Sequence, residues 1–303
     1  MLEYSDFQRK ILDLLCNIDV KCNEPLSKHT SFRIGGPAEV MVFPKTAEEL
    51  SQVLKVSALL DCDFRILGAG TNILAPDKGV SGIVICLKDC MDGTVLLDKN
   101  TIRVAAGVTM TRAAVFAATH GLSGLEFAHG IPGTVGGGVY MNAGAYGGEI
   151  GKVCKSVDVM TFAGEHKTFT GEEMEFSYRH SRLEDEGGIV LSAVFALEEK
   201  PVEEIRATMQ DLMNRRKKSQ PLDLPSAGSA FKRPVGGYAA ALIDQTGLKG
   251  FQIGGAAVSE KHAGFVVNCD QATANDVKEL LQRVSDLVFH KFAIRLEPEV
   301  RIW

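Results

Sequence analysis

Two glycine-rich stretches are the parts of this sequence best suited to press backbone against a ligand. The first, Gly68-Ala-Gly-Thr-Asn, follows the apolar run Phe64-Arg-Ile-Leu. The N–H groups of such a turn can cradle a diphosphate, and Thr71 and Asn72 add side-chain donors. The common dinucleotide fingerprint is not met. It needs a third glycine and a helix straight after it. Here the third position is Ile73, and Pro76, Gly79 and Gly82 stand where the helix would be. Alone, this turn reads most simply as a tight turn. The second stretch is Gly130-Ile-Pro-Gly-Thr-Val-Gly-Gly-Gly-Val-Tyr-Met-Asn-Ala-Gly-Ala-Tyr-Gly, within a segment, 124–151, of ten glycines and one proline. It is too long for a turn. It also reads as too glycine-rich for an ordinary helix, each helical glycine costing about 1 kcal/mol relative to alanine. Ile131, Val135, Val139, Tyr140, Met141 and Tyr146 are interleaved, so it packs rather than links. Close approach of a large flat ligand explains three glycines in a row. Two such loops suggest one extended nucleotide cofactor.

The elements that must position these loops can be read from spacing. Phe7, Ile11, Leu14, Leu15 and Ile18 fall on one helical face, predicting a helix over 5–17 capped by Ser5. A polar stretch to Lys28 follows, then a strand over 39–43. Thr46 and Glu49 have capping-box spacing and open a helix. Phe64-Arg-Ile-Leu is a strand running into the first glycine turn. Strands are expected over 82–87, 94–97, 102–105, 153–161 and 189–197. One helix, 109–120, stops at Gly121. A basic amphipathic helix over 202–218 ends in Arg215-Arg-Lys-Lys. A helix over 238–245, a strand over 264–269, a helix over 273–292 and an alternating strand over 296–302 complete the chain.

The 303 residues suggest two or three domains, more than enough for a core. Glycine is in excess, 31 residues, or about 10% against roughly 7% in ordinary usage. Hydrophobic residues at 45% and charged residues at 23% exclude disorder. A net charge of -5 argues against a nucleic-acid partner. The seven cysteines show no CxxC pair and no metal-ligand spacing, so free thiols in a reducing compartment are expected and no metal site. Residues 1–7 read as neither a secretory leader nor part of a span, and no stretch nears the roughly 20 apolar residues a membrane crossing needs. A cytoplasmic chain is expected.

Seven motifs stand in order along the chain: Thr30-Ser-Phe-Arg-Ile-Gly-Gly, Gly68-Ala-Gly-Thr-Asn-Ile-Leu, Gly130-Ile-Pro-Gly-Thr-Val-Gly-Gly, Asn142-Ala-Gly-Ala-Tyr-Gly, Tyr178-Arg-His-Ser, Pro225-Ser-Ala-Gly-Ser and Leu296-Glu-Pro-Glu-Val-Arg. Taken together they resemble the UDP-N-acetylenolpyruvoylglucosamine reductase family. The family comprises flavoenzymes that make UDP-N-acetylmuramic acid for peptidoglycan. The resemblance implies an α+β chain with a two-subdomain FAD-binding fold of the vanillyl-alcohol oxidase (PCMH) type and a C-terminal α+β substrate-binding domain. Subdomain 1 would span 1–76, with a strand from 294–303 returning to it. Subdomain 2 would span 77–199 and the substrate domain 200–293. FAD would be held without a covalent bond, and NADPH would be the reductant. The implied FAD contacts are Arg33, then Gly68, Ala69, Gly70, Thr71, Asn72 and Ile73, then Ile131, Pro132, Gly133, Thr134, Gly136, Gly137, Asn142, Ala143 and Gly144. The chain would act on small molecules, as a monomer or weak homo-oligomer.

The implied substrate is an enol ether conjugated to a carboxylate. Hydride from flavin N5 would add to C3, and negative charge would build on C2 and the carboxylate. By motif, Ser229 would protonate C2, Arg179 would fork onto the carboxylate, and Glu299 would supply a partner carboxyl. Tyr178, Lys217 and Arg233 would bind substrate. One branch of the family closes a tyrosine loop over the diphosphate. No tyrosine lies between Tyr178 and Tyr238 here, which resembles the branch without that loop. Arg233 stands where the family often has Asn. Two other readings remain open from sequence: an FAD oxidase or dehydrogenase of the same fold acting on an alcohol or 2-hydroxy acid, and a non-catalytic sugar-nucleotide binder.

Overall fold

The computed structural model describes residues 4–303. Met1, Leu2 and Glu3, part of the leader reading, lie outside the described residues. Two compact units are present. Unit 1 comprises 1–22, 40–69 and 82–215; unit 2 comprises 23–39, 70–81 and 216–303.

Two sheets lie wholly or largely in unit 1. The first has the strand order Asp19–Pro25, Pro37–Phe43, Val80–Cys86, Phe64–Leu67. Its last two strands are parallel, with Leu67 opposite Cys86. The helices Asp6–Leu14 and Ala47–Leu59 carry its apolar cover; Ser5 completes a capping box with Gln8, and Thr46 caps the second helix. Ile11, Leu15, Val40, Val42, Leu50, Val53, Ile83 and Ile85 form the core between them. The strand Asp19–Pro25 falls in the stretch read as merely polar, because its residues are exposed or half-buried throughout. The second sheet is antiparallel, in the order His166–Thr170, Cys154–Met160, Ile189–Ala196, Thr101–Ala105, Thr94–Leu96. The helix Met110–Thr119 packs into the same core as this sheet.

One expectation is overturned in this unit. The glycine run is a short helix, Val135–Tyr140, capped by Thr134, whose Oγ1 accepts from Gly137 N at 3.4 Å. Its glycines are needed mainly for packing. A Cβ at Gly136 would stand 3.0 Å from Ala106 Cβ, and one at Gly138 would stand 2.7 Å from Met110 Sδ. The helix lies so close to its neighbours that bulk is excluded, and tertiary packing outweighs the glycine propensity cost.

Unit 2 holds a four-stranded antiparallel sheet, ordered Ser226–Ser229, Phe265–Asn268, Ala256–Val258, Gln252–Ile253. The helices Ala239–Gln245 and Ala274–Phe292 share a core with it, including Val258, Val266, Val277, Leu280, Leu281 and Val284. Asp77 caps the longer helix: both its carboxylate oxygens accept from Ala274 N at 2.9 Å. The expected strand over 296–302 is regular only at Arg301–Ile302, which pairs in parallel with Ile73–Leu74. Pro298 has no N–H to give a ladder, and this stretch makes isolated bonds instead. Among the described residues no helix is long and apolar enough to cross a membrane.

Candidate cofactor and active site

In unit 1 the strand Phe64–Leu67 delivers Gly68 against the second glycine loop. A Cβ at Gly68 would stand 2.6 Å from Thr134 Oγ1, so the absence of a side chain lets the loops touch. The second loop is pinned at both ends. Thr111 Oγ1 donates to His129 O at 2.7 Å, and Met110 N donates to Gly133 O at 3.0 Å. Beyond the pin, Val135 N and Gly136 N donate to Val108 O and Ala106 O at 2.8 and 2.9 Å. Between the pins, Ile131 N turns back to Ala128 O, and Pro132 is exposed. Gly137 is exposed as well, and a Cβ there would meet Thr134 Oγ1 at 3.6 Å and nothing nearer. The outward side of this loop is therefore mostly backbone, which fits a large flat cofactor laid on it.

The segment after the short helix turns back on itself. Ala143 N donates to Gly138 O at 2.7 Å, and Gly144 pairs with Glu149. Asn142 is buried and has φ 43°. Its Nδ2 donates to Ser177 O at 2.9 Å, and its Oδ1 accepts from Gly151 N at 2.8 Å. So Asn142, expected as a cofactor contact, also tethers the turn that carries Tyr178 and Arg179.

That turn is a two-residue hairpin. Ser177 and His180 exchange backbone hydrogen bonds, both 3.2 Å long, with Tyr178 and Arg179 at the tip. Arg179 has φ 56°, which costs a residue with a Cβ about 1–2 kcal/mol. Such strain persists where surroundings over-determine it, and it concentrates at functional sites. The surroundings here are Asn142 and Ser181. Ser181 is fully buried, and its Oγ donates to Tyr140 O at 2.7 Å. His180 faces Glu184 at 3.4 Å and Asp185 at 3.2 Å. The Arg179 guanidinium lies 5.7 Å from the Tyr178 ring centre.

In unit 2, Ser229 closes the strand Ser226–Ser229 opposite Phe265, after an irregularity in register. Gly228, with φ 78°, supplies the bend, and a Cβ there would meet open space. Glu299 N donates to Ala230 O at 2.9 Å, and Phe231 bridges Pro298. The backbones of Ser229–Ala230 and Glu299 are thus neighbours. Glu299 O in turn accepts from Asn72 Nδ2 at 3.0 Å, and Arg301 N donates to Asn72 O at 3.0 Å. Gly70, with φ 61°, lies so close to His29 and Thr30 that a Cβ would strike His29 O. Ser31 N donates to Gly70 O at 3.1 Å, and Ser31 Oγ to Ser226 O at 2.6 Å. The expected residues Gly70, Asn72, Ile73, Ser229 and Glu299 are brought together; Thr71 lies among them along the chain. Arg33 is exposed with φ 56°.

The expected substrate residues of unit 2 lie on its surface. Lys217 is exposed, and its carbonyl accepts from Lys261 Nζ at 2.6 Å. Arg233 is exposed, its guanidinium 4.5 Å from the Tyr238 ring centre. Sequence reasoning passed over Ser31, Asp77, Ser177 and Asn268. Asn268 Nδ2 donates to Phe32 O at 3.0 Å. Ser31, Asp77 and Asn268 bond to backbone and Ser177 is held through its own carbonyl, roles with no local sequence signal.

Comparison with known proteins bears on this geometry. Residues 220–303 match the family model "UDP-N-acetylenolpyruvoylglucosamine reductase, C-terminal domain", and residues 38–170 match "FAD binding domain". The chain is 45% identical over 292 residues to the UDP-N-acetylenolpyruvoylglucosamine reductase of Streptococcus uberis, covering 96% of each. It is 44% identical to that of Syntrophomonas wolfei, covering 97% of this chain and 98% of the other. Among solved structures it is similar to the UDP-N-acetylenolpyruvylglucosamine reductase of Thermus caldophilus, with TM-score 0.81, 38% identity, and coverage of 94% and 99%. A likeness to alkyldihydroxyacetonephosphate synthase, with TM-score 0.50, 16% identity, and coverage of 66% and 42%, concerns the fold alone.

Proposed function

The chain belongs to the UDP-N-acetylenolpyruvoylglucosamine reductase family, and from that premise we propose how its residues divide the reaction. It is an FAD-containing oxidoreductase with an FAD-binding fold of the vanillyl-alcohol oxidase type and a C-terminal α+β domain. The proposed reaction is NADPH-dependent reduction of the enolpyruvyl ether of UDP-N-acetylglucosamine to UDP-N-acetylmuramate, a peptidoglycan precursor, in the cytoplasm. On this reading 1–76 with 294–303, and 77–199, serve FAD, while 200–293 serve the substrate.

FAD, when bound, would supply the two-electron chemistry for hydride transfer from NADPH to the enolpyruvyl group. Gly68, Ala69 and the 131–137 loop would hold it, with Gly70, Thr71, Asn72 and Ile73 continuing the first loop, and with Arg33, Asn142, Ala143 and Gly144 as further contacts. These offer backbone and small polar groups, which supports binding without a covalent link. Ser229 Oγ would hold the proton that goes to C2. A serine hydroxyl is a weak acid, so it acts only as negative charge develops there. Arg179 is permanently charged and planar, suited to the substrate carboxylate. Fixed charge aimed where charge develops is commonly the largest catalytic contribution. Glu299 would supply the partner carboxyl. Tyr178, Lys217 and Arg233 are proposed to hold the rest of the substrate, the two cations serving its diphosphate.

The observation that carries the reading is the bond from Glu299 N to Ala230 O. It brings the backbone of Glu299, the proposed partner carboxyl, beside the residue that follows Ser229, the proposed proton donor. The test is NADPH oxidation by FAD-loaded protein. Rapid oxidation that requires the enolpyruvyl substrate is expected. Flavin reduction by an alcohol or 2-hydroxy acid, with no response to that substrate, would overturn it.

A further inference from the structure

Ser31 is half-buried in a tight turn of unit 2. Thr30 Oγ1 donates to Ile34 O at 2.8 Å and Arg33 N to Thr30 O at 3.1 Å, so the turn is braced from within. Phe32 and Ile34 anchor it in the core of the unit. Ser31 sends its two donors in different directions. Its N–H goes to Gly70 O at 3.1 Å, in the first glycine loop. Its hydroxyl goes to Ser226 O at 2.6 Å, at the start of the strand Ser226–Ser229. The hydroxyl also lies 3.4 Å from Gly70 O, but it has one proton, and the shorter contact takes it. One residue thus joins the loop assigned to the cofactor to the strand that ends in the proposed proton donor.

The strand is supported by its sheet from one side: it is the outermost strand, next to Phe265–Asn268. Its register breaks between Ser226 and Ser229, where Gly228 bends with φ 78°. A Cβ at Gly228 would meet nothing within 4 Å, so close packing there does not fix the bend. The direction in which Ser229 leaves the bend is therefore set by what holds its flanks. Beyond it, Ala230 N donates to Gly264 O at 2.8 Å, and Ala230 O accepts from Glu299 N at 2.9 Å. Before it, Pro225 O accepts from Asn268 N at 2.9 Å, and Ser226 O accepts from the Ser31 hydroxyl. Asn268 Nδ2 also donates to Phe32 O, which ties the same turn to the neighbouring strand. Reacting groups tolerate little displacement, an ångström costing on the order of a hundredfold in rate. We propose that Ser31 is a positioning residue: through Ser226 it fixes the bend that aims Ser229, and its effect falls on proton delivery rather than on cofactor binding. This role rests on the assignment of Ser229 as proton donor.

The experiment follows both half-reactions by stopped flow in FAD-loaded parent, Ser31→Ala, Ser31→Thr, Ser229→Ala and the double variant. It also measures FAD affinity of each apoprotein by quenching of flavin fluorescence. Ser31→Ala keeps the backbone N–H that holds Gly70. Its FAD affinity and its flavin reduction by NADPH are therefore expected within about threefold of the parent, while reoxidation by the enolpyruvyl substrate slows about tenfold, the scale of one hydrogen bond. Ser31→Thr retains a hydroxyl and should reoxidise within about threefold of the parent. In the Ser229→Ala background, Ser31→Ala should change reoxidation by less than about twofold, because the group it aims is gone. Equal slowing in both backgrounds overturns the role of Ser31, as does parent-like reoxidation in Ser31→Ala, a rate in Ser31→Thr as slow as in Ser31→Ala, or a loss of FAD affinity. If Ser31→Ala does not fold, Ser31→Cys, a weaker donor of similar shape, takes its place in the same comparison. The underlying assignment fails separately: Ser229→Ala that reoxidises at the parent rate removes the proton donor, and a parent whose reduced flavin ignores the enolpyruvyl substrate removes the proposed reaction.

Discussion

The contact between Gly68 and Thr134 can be tested by a double-mutant cycle. Gly68→Ala places a Cβ 2.6 Å from Thr134 Oγ1, but 3.8 Å from Thr134 Cβ and 3.8 Å from Cγ2. The clash is thus with the hydroxyl alone. The backbone of Gly68 is not left-handed, so alanine meets no conformational penalty there. Overpacking of this kind costs about 2 kcal/mol. Thr134→Ala removes the cap of the helix Val135–Tyr140 and costs about 1 kcal/mol. Independent changes would sum to about 3 kcal/mol. In the double mutant the clashing hydroxyl is gone, and the new methyl faces only the Cβ that Thr134→Ala retains, at an ordinary contact distance. The total should therefore return to about 1 kcal/mol, a coupling of about 2 kcal/mol. Urea unfolding of the four apoproteins measures this directly. FAD affinity should follow the same order, with Gly68→Ala the weakest binder. Simple additivity in unfolding would mean that the two loops do not touch as described.

Three further outcomes are expected. Ser229→Ala should leave flavin reduction by NADPH nearly intact but slow reoxidation by the enolpyruvyl substrate at least ~10²-fold in stopped flow; the opposite pattern would remove Ser229 from proton delivery. The carboxyl of Asp276, accepting from Thr273 N and Gly255 N, is held below the ordinary carboxylate range, so its contribution is present at neutral pH and lost as pH falls through that lowered value. Melting points of parent and Asp276→Asn should therefore converge in acid, and a gap that widens would contradict this. Burial pushes the Cys154 thiol up to about 12 and Cys86 up to about 11, whereas Cys16 and Cys269 are exposed; mass spectrometry after brief treatment with a disulfide reagent near pH 8 should find label on Cys16 and Cys269 and not on Cys154 or Cys86.

Much of this was legible in the sequence, and the failures have physical causes. Capping residues announced two helices correctly because the signal is local: Ser5 and Thr46 each accept from a backbone N–H three residues on. The glycine run from 136 to 138 misled because its helical state is imposed by Ala106 and Met110, which are distant in sequence. The strand at 296–302 shrank to two residues because Pro298 interrupts its ladder. For the site, motifs pointed to Ser229 and Glu299, but no spacing rule could say that their backbones are neighbours. Nor could it show that Asn142 would be spent on Ser177 and Gly151.

Unit 2 has a consequence for the order in which the chain can acquire structure. Asn72 is fixed by Glu299 O, 227 positions away, and Ile73–Leu74 has Arg301–Ile302 as its strand partner. No segment of unit 1 lies beyond residue 215. During synthesis its segments are complete while Asn72 and Ile73–Leu74 still await these C-terminal partners. Contacts of such long sequence separation form slowly, since a large loop must close before they are rewarded. Ile73 and Leu74 therefore lack their strand partner until the last residues have been made, and until then a chaperone could hold them or a neighbouring nascent chain could capture them.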